Sequence, residues 1–137
     1  MKELLDSYVA GLIDGEGTIT LSHNNRTDRF RVPVVSMTST TPELTRIVAD
    51  EFGGSVRIHK TYRQGHSDSY IWSIRHDRAL AMLQRVIPYL REPEKKQRAR
   101  LILDRYKSVT PRNGKYSAEK TAAKFEFEYL FFHPSTP

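Results

Sequence analysis

The sequence predicts an α+β fold, a single domain in which one four-stranded antiparallel sheet carries its helices on one face. Apolar residues recur at three- and four-residue spacing in the first 14 residues and again after positions 41, 76 and 93, which is the period of a helix. Between these segments, two pairs of short stretches alternate polar and apolar residues, as half-buried strands do. The resulting order, α-β-β-α-β-β-α with a helical C-terminal extension, leaves the opposite sheet face open.

The length and composition fit one basic domain spanning residues 1–137. A chain of 137 residues can bury a core unaided. It has 22 Lys and Arg against 16 Asp and Glu, a net charge of +6 and a pI near 9.7, which favours a polyanionic partner, nucleic acid before membrane. The absence of cysteine excludes disulfides and cysteine-based zinc sites. With no signal peptide and no apolar run approaching roughly 18 residues, the protein is expected to be soluble.

The first helix has two distinct faces. One is broad and apolar, and consists of Leu4, Leu5, Tyr8, Val9, Leu12 and Ile13. The other is a stripe of small residues at helical spacing, namely Ser7, Ala10, Gly11 and Asp14. A small-residue stripe lets a second helix backbone come close. Gly15 and Gly17 are expected to end the helix in the left-handed conformation that glycine accepts, which leaves Glu16 on a turn just beyond it.

Two hairpins follow the patterns of half-buried strands. Residues 18–24 alternate in polarity, residues 25–28 are rich in turn formers, and residues 30–37 form the returning strand. Pro33 implies an edge position or a bulge in that strand, because proline cannot donate to a ladder of hydrogen bonds. The second hairpin spans residues 55–74, with a polar loop over residues 60–69.

The remaining helices are marked by their ends. Thr41 and Pro42 begin the second helix and Gly53-Gly54 stop it. Asp77 is predicted to cap the third helix, which Pro88 ends or bends. A short connector around Pro93 leads into the fourth. The last segment is ambiguous, since residues 125–129 alternate like a strand, but we predict a helix from the helical spacing of Ala122, Phe125, Tyr129 and Phe132.

The stretch from Val9 to Gly17 resembles the motif of the LAGLIDADG homing endonucleases. Ala10 to Asp14 follow the pattern, Gly15 is a common variant, Glu16 is the acid and Gly17 closes the motif. The resemblance extends in organisation over residues 3–107, with residues 108–137 as a C-terminal extension. It implies a saddle-shaped sheet and motif helices that pack against each other. The alternative is an ordinary amphipathic helix ended by glycines.

The resemblance implies a metal-dependent cleavage site built on Glu16. In the family this carboxylate is a metal ligand and the adjacent backbone carbonyl, here of Gly15, also binds the ion. Mg²⁺ suits such oxygen ligands, Mn²⁺ is expected to substitute, and Ca²⁺ is expected to bind without supporting cleavage. Lys95, with Lys96 as the alternative, matches the family's active-site lysine, and Ser39 aligns loosely with a residue that positions water. Asp14 is expected to be structural or to cap the helix rather than to take part in catalysis.

The open sheet face is expected to bind double-stranded DNA. Arginine, asparagine and serine read base edges in a major groove, and basic residues hold phosphates. The predicted DNA-binding residues are Ser22, Asn24, Arg26, Arg57, His59, Lys60, Arg63, Ser69, Ile71 and Ser73, joined by Arg29 or Arg31. The alternative is a solvated sheet face with ordinary surface charge.

A single copy of the motif implies a homodimer, with the stripe Ser7, Ala10, Gly11 and Asp14 as its seam. The function predicted is therefore a sequence-specific double-strand DNA endonuclease acting on a nearly palindromic site, in the compartment that holds its target. Family members of this size are typically encoded within introns or inserted elements. The main alternative is a binding module on the same fold that does not cut, either an RNA partner of the maturase type or a DNA-binding regulator. A basic structural protein is a third option.

Overall fold

The structure, a computed structural model, describes residues 2–134, so the first residue and last three residues of the predicted domain lie outside it. The predicted α+β architecture and element order are confirmed. Within the described residues, two short 3-10 turns, Ile87–Tyr89 and Lys107–Val109, accompany the main elements. These elements are α1 (Lys2–Glu16), β1 (Gly17–Ser22), β2 (Val32–Ser39), α2 (Pro42–Phe52), β3 (Ser55–His59), β4 (Ser69–Arg75), α3 (His76–Val86), α4 (Pro93–Arg105) and α5 (Ala118–Phe132).

The sheet is antiparallel throughout, with strand order β1-β2-β4-β3. Met37 of β2 lies opposite Gly17 on one side and Trp72 on the other. Because directly opposite residues share a face and successive residues alternate, the register assigns every strand position to the helix-covered face or the open face. Trp72, completely buried, marks the helix-covered face.

Pro33 lies near the start of a central strand, but at this position the strand has a neighbour on one side only, as the prediction of an edge position requires. It pairs with Leu21 of β1, whereas pairing of β2 with β4 begins only at Val34. At Pro33 the strand therefore has one neighbour, and its missing N–H interrupts no ladder with β4.

The first helix ends differently from the prediction. Glu16 is the last residue of α1 rather than part of a turn, and β1 begins directly at Gly17. Neither Gly15 nor Gly17 has a positive φ. Gly17 is instead required for space, because a Cβ there would lie 2.8 Å from the Cα of Ile13. The helix stops because the chain turns tightly against its own last turn.

The C-terminal segment is helical, as predicted, but it packs on a different face. Phe125 is 53% exposed and Tyr129 is 63% exposed, so the predicted apolar stripe points largely outward. The buried residues are Lys124, Phe127, Glu128 and Phe131. The predicted face was wrong because two charged residues, Lys124 and Glu128, lie on the buried face, where each contacts a partner outside the helix.

Lys124 is a buried cation in an aromatic setting. It is 1% exposed, its Nζ donates to the Thr110 hydroxyl, and it lies 4.1 Å from the ring centroid of Tyr106. Burial lowers the pKa of Lys124 to about 8, which outweighs the opposite effect of the Glu128 carboxylate. Folding therefore disfavours the charged form of this lysine.

We expect the free energy of unfolding to rise as the pH is raised from about 8 to about 10. Over this range folded Lys124 has lost its proton whereas an unfolded lysine, with a pKa of 10.5, still binds one. The expected rise is of the order of 1 to 3 kcal/mol, measured by urea denaturation. Above pH 10 the pKa values of Tyr106 and Tyr116, both raised by burial, act in the opposite direction.

The matched variants are Lys124→Met, which should remove the rise, and Lys115→Met at an exposed position, which should keep it. A wild-type profile that is flat or falling between pH 8 and 10 would show that the ammonium is well accommodated in the fold.

The prediction that Asp77 caps α3 is wrong. The helix already begins at His76, so Asp77 lies inside it, and the φ of 58° at His76 turns the chain directly out of β4.

Within residues 2–134 no helix combines the length and apolarity needed to cross a bilayer.

Candidate functional site

The open face of the sheet gathers many of the predicted binding residues. The register places Ser22 of β1, Ser69, Ile71 and Ser73 of β4, and Arg57 and His59 of β3 on the face opposite the helices. Arg57 and His59 are exposed, and the others are partly exposed. The alternation seen in the sequence was sufficient to find these positions.

The same face includes residues that sequence reasoning missed. Those shown by the register are Thr18, Thr20, Val32, Val34, Ser36, Thr38, Ser55 and Arg75. The uncertainty over Pro33 hid the faces of β2, where only residues 35–38 alternate between apolar and polar. Arg75 was missed because the second hairpin was predicted to end at residue 74.

The loops at the two ends of the sheet carry exposed basic residues. Asn24 and Arg26 lie in the loop after β1, and Lys60 and Arg63 lie in the loop after β3. Within residues 2–134, Arg26, Lys60 and Arg63 form no ion pair. Their charges therefore remain available to a polyanion.

Arg31, predicted as a possible DNA-binding residue, contacts the C-terminal helix instead of lying on the open face. Its guanidinium forms an ion pair with Glu128 of α5 at 2.8 Å, and its backbone N–H donates to the same carboxylate. Arg29 remains exposed, with its guanidinium 4.7 Å from the centroid of the Phe30 ring and 5.8 Å from that of Tyr116. Arg31 thus contacts the C-terminal helix and Arg29 lies near Tyr116, just before that helix, and no local pattern indicates either long-range contact.

Glu16 stands where α1 runs into the sheet. Its side chain is exposed, and it forms no ion pair with the other described residues. Thr18, two residues further on, already belongs to the open face. The carboxylate is therefore at the junction between the end of the first helix and the open sheet surface.

Lys95 fixes this end of α1. Its Nζ donates to the carbonyl oxygens of Ile13 at 2.9 Å and Asp14 at 2.7 Å. A lysine at a helix C-terminus also offsets the negative end of the helix dipole. The alternative candidate, Lys96, lies instead in a cleft beside Pro88. Of the two lysines, Lys95 is the one whose side chain hydrogen-bonds to α1 among the described residues.

Asp14 has the structural contacts expected of it. Its carboxylate accepts hydrogen bonds from the backbone N–H groups of Arg91 at 2.9 Å and Glu92 at 3.1 Å. Glu92 in turn caps α4 by accepting from the N–H groups of Glu94 and Lys95. These bonds join the end of α1 to the start of α4 and so hold the segment that carries Glu16.

Ser39 is a poor candidate for positioning water. The register places it on the helix-covered face, opposite Tyr70, and it is 9% exposed. Its hydroxyl oxygen accepts a hydrogen bond from the N–H of Thr41 at 3.0 Å, next to the start of α2. We therefore remove Ser39 from the candidate catalytic set.

The exposed face of α1 differs from the predicted stripe. Ala10 is completely buried in the core of its own chain, so it cannot form a seam with another molecule. Asp14 is partly buried and hydrogen-bonded. The exposed residues of this helix are instead small or apolar along one side and include Leu4, Ser7, Tyr8, Gly11 and Gly15. A Cβ built at Gly11 or Gly15 meets nothing within 4 Å.

The donor atoms near Glu16 fit a hard divalent cation only in part. A carboxylate and neighbouring backbone carbonyls are the oxygen ligands that Mg²⁺ accepts. Within residues 2–134, however, no group of three or more acidic or histidine side chains could hold a metal ion. The described part of one chain therefore does not present a complete set of side-chain ligands for a metal ion.

Comparison with known proteins is consistent with this arrangement. Residues 3–107 match the family model described as a LAGLIDADG-like domain. No curated protein matches the sequence.

Solved structures show the same fold at low sequence identity. The homing endonuclease I-CvuI, in complex with its target in the presence of 2 mM Ca, matches with a TM-score of 0.71 and 17% identity over 96% of this chain and 80% of that one. I-CvuI with the I-CreI target in 2 mM Mg, where the DNA is not cleaved, has a TM-score of 0.67 and 19% identity over 94% and 83%. The archaeal intron-encoded I-Vdi141I, complexed with DNA, has a TM-score of 0.61 and 13% identity over 99% and 87%.

Proposed function

Because the chain belongs to the LAGLIDADG family, a family of homing endonucleases, we propose that it is a metal-dependent, sequence-specific endonuclease of double-stranded DNA. The proposal rests on one observation above all. Glu16 is an exposed carboxylate, without an ion-pair partner among residues 2–134, at the junction of the motif helix and an open sheet face. A protein that only bound DNA would gain nothing from a negative charge at this place, because it would repel the phosphates.

DNA is proposed to lie along the open sheet face. Threonine, serine and arginine side chains there can donate to base edges or phosphates. An eight-residue strand such as β2 spans roughly 27 Å at about 3.3 Å per residue. At about 3.4 Å per base pair, this corresponds to roughly eight base pairs for each chain. The structures of I-CvuI and I-Vdi141I with DNA support this choice of ligand.

Two chains are proposed to complete one cleavage site. One chain offers a single carboxylate near the seam, so a second Glu16 and the DNA phosphates would supply the missing metal ligands. The Gly15 carbonyl is the additional ligand expected from each chain. Mg²⁺ would supply charge neutralisation at the phosphate and a more acidic water, with Mn²⁺ as a substitute and Ca²⁺ supporting binding alone. The I-CvuI complexes with Ca and Mg are consistent with divalent cations in this fold.

Lys95 is proposed to act beside Glu16. An ammonium group has three donors, and two of those on Lys95 are used on the carbonyls of Ile13 and Asp14. The third can donate to the attacking water or to a phosphate oxygen. Because the other two bonds fix the position of Nζ, this donor needs no reorganisation when DNA binds.

The exposed side of α1 is the proposed dimer seam. Replacing Gly11 with leucine is expected to shift the dimer to monomer in sedimentation velocity. Overpacking costs about 1 to 3 kcal/mol and would occur once on each chain, which weakens association by roughly 30-fold or more. Because a side chain at Gly11 meets nothing in its own chain and leucine favours helix over glycine, the monomer should remain folded.

Ala81→Leu, at an exposed position of α3, is the matched control and should leave the assembly unchanged. A Gly11→Leu protein that sediments as a dimer would show that the chains associate through another surface.

The direct test of function is incubation of the protein with a library of randomised DNA duplexes, in Mg²⁺ and separately in Ca²⁺. Cleavage of a selected set in Mg²⁺, with binding of the same set in Ca²⁺, is expected. Binding with no cleavage in either cation would favour the competing function, a DNA-binding regulator or, if RNA is preferred, a maturase-like protein.

A further inference from the structure

Arg75 is a cation on the open face that is positioned but not neutralised. It is the last residue of β4, one of the two central strands, and lies opposite Val34 of β2. Its side chain is exposed. Within residues 2–134 the arginines that form ion pairs are Arg31, Arg85 and Arg98, and Arg75 is not among them.

An uncharged side chain holds the guanidinium. Arg75 Nη1 donates to Oδ1 of Asn24, in the loop after β1, at 3.3 Å. A guanidinium can only donate, so the amide oxygen of Asn24 has to face it. A carboxylate would cancel the charge of the guanidinium, whereas an uncharged amide restrains the group and leaves its charge intact. Arg75 therefore keeps both its charge and its remaining donors for a ligand above the sheet.

The other side of the Asn24 amide is also held. Its Nδ2 lies 2.6 Å from Nε2 of His76. His76 has a φ of 58°, and it is the one residue other than glycine with a positive φ among those described. Such a backbone conformation costs about 1 to 3 kcal/mol and persists only where the surroundings impose it. Here this conformation places the His76 ring beside Asn24. Asn24 therefore links the loop after β1 to the end of β4, at the end of the sheet away from Glu16.

From this geometry we infer that Arg75 reads a guanine in the major groove, with Asn24 and His76 as positioning residues. The inference rests on the function proposed above. Guanine presents the acceptors O6 and N7 side by side, and an arginine held in place can donate to both. Asn24 itself, whose amide is occupied on both sides, is a support for Arg75 rather than a reader of adenine.

The position of the guanine follows from the register. Met37 lies opposite Gly17, next to Glu16, and Arg75 lies opposite Val34, three residues back along β2. Three residues correspond to roughly 10 Å of strand at about 3.3 Å each. At about 3.4 Å per base pair, the guanine is expected roughly three base pairs outside the cleavage position in each half-site.

The experiment compares the base preferences of variants, using binding to a randomised duplex library in Ca²⁺ followed by sequencing. The wild type should prefer guanine at one position of each half-site by roughly 5- to 150-fold, the range that a bidentate contact supplies. Arg75→Lys, which keeps the charge but loses the planar fork, should reduce that preference to below about threefold and leave the other positions unchanged.

The role of Asn24 has its own readout. Asn24→Ala should lower the preference at the same position as Arg75→Lys does, whereas Asn24→Gln, which retains an uncharged amide acceptor for Arg75, should preserve more of it. A loss of folding alone would weaken binding at all positions together. Arg100→Lys, an exposed position on the helix side, is the control for a conservative change of a basic residue.

Two results would overturn the inference. If Arg75→Lys keeps the wild-type melting temperature but weakens binding equally for all sequences, Arg75 contacts phosphate and not a base, while the proposed endonuclease function stands. If the wild type selects no duplex at all, the proposed function fails and this inference fails with it.

Discussion

Replacing Glu16 with glutamine is expected to abolish DNA cleavage while leaving DNA binding intact. Glutamine keeps the size of the side chain but lacks the negative charge that holds a divalent cation. Loss of a group that merely orients a metal ligand already lowers activity by roughly 10- to 100-fold. Loss of the ligand itself should therefore reduce the rate of Mg²⁺-dependent cleavage by more than about a hundredfold, measured on a duplex recovered from the library.

The folding and the DNA affinity of the Glu16→Gln variant should be measured separately from its cleavage rate. Because Glu16 is exposed and forms no ion pair within residues 2–134, the melting temperature and the affinity in Ca²⁺ are expected to change little. Glu43→Gln, at an exposed position of α2, is the control and should cleave like the wild type. Cleavage by Glu16→Gln within a few-fold of the wild-type rate would remove this carboxylate from the mechanism.

Replacing Gly54 with alanine is expected to be strongly destabilising. Gly54 has a φ of +94°, and a Cβ there would lie 2.5 Å from the Ser73 carbonyl oxygen and 2.8 Å from Nε1 of Trp72. The left-handed conformation costs alanine about 1 to 2 kcal/mol, and overpacking adds about 1 to 3 kcal/mol. A total of about 2 to 5 kcal/mol is a large part of the net stability of a small domain, about 5 to 15 kcal/mol. Thermal denaturation should show the melting temperature falling by roughly 5 to 20 °C.

Gly65→Ala separates the two causes of this loss. Gly65 has a similar φ of +86°, but a Cβ there meets nothing within 4 Å. Gly65→Ala should therefore lose only the free energy that alanine needs to adopt the left-handed backbone conformation, about 1 to 2 kcal/mol. Equal losses at Gly54 and Gly65 would mean that the chain relaxes around the new methyl group, and that the close packing of Trp72 contributes little.

The candidate site could be predicted in part from local patterns. Alternation over β1, β3 and β4 was enough to place Ser22, Arg57 and Ser73 on one face, because side-chain direction in a strand depends only on position along it. Local patterns do not show which side chains are held by a distant partner. Arg31 was predicted to bind DNA, yet it pairs with Glu128 across 97 residues of sequence.

The same reason explains the errors in the helices. In α1 the spacing of small residues predicted a seam, but Ala10 lies in the core, and packing alone decides which small residues face outward. In α5 the apolar spacing predicted the wrong buried face, because Lys124 and Glu128 have partners that lie outside the helix. A helical pattern shows which residues share a face, and the tertiary contacts decide which face is covered.

The sequence by itself determined the order of the elements, the α+β class, the motif that identifies the family and the acid at its end. These depend on short-range periodicity and on residues that are neighbours in the chain. Only the tertiary structure decided that Lys95 holds the end of α1, that Ser39 is turned away from the open face, and that Asn24 and His76 support Arg75. Each of these is a contact between residues far apart in sequence, and its geometry exists only once the sheet and helices have packed together.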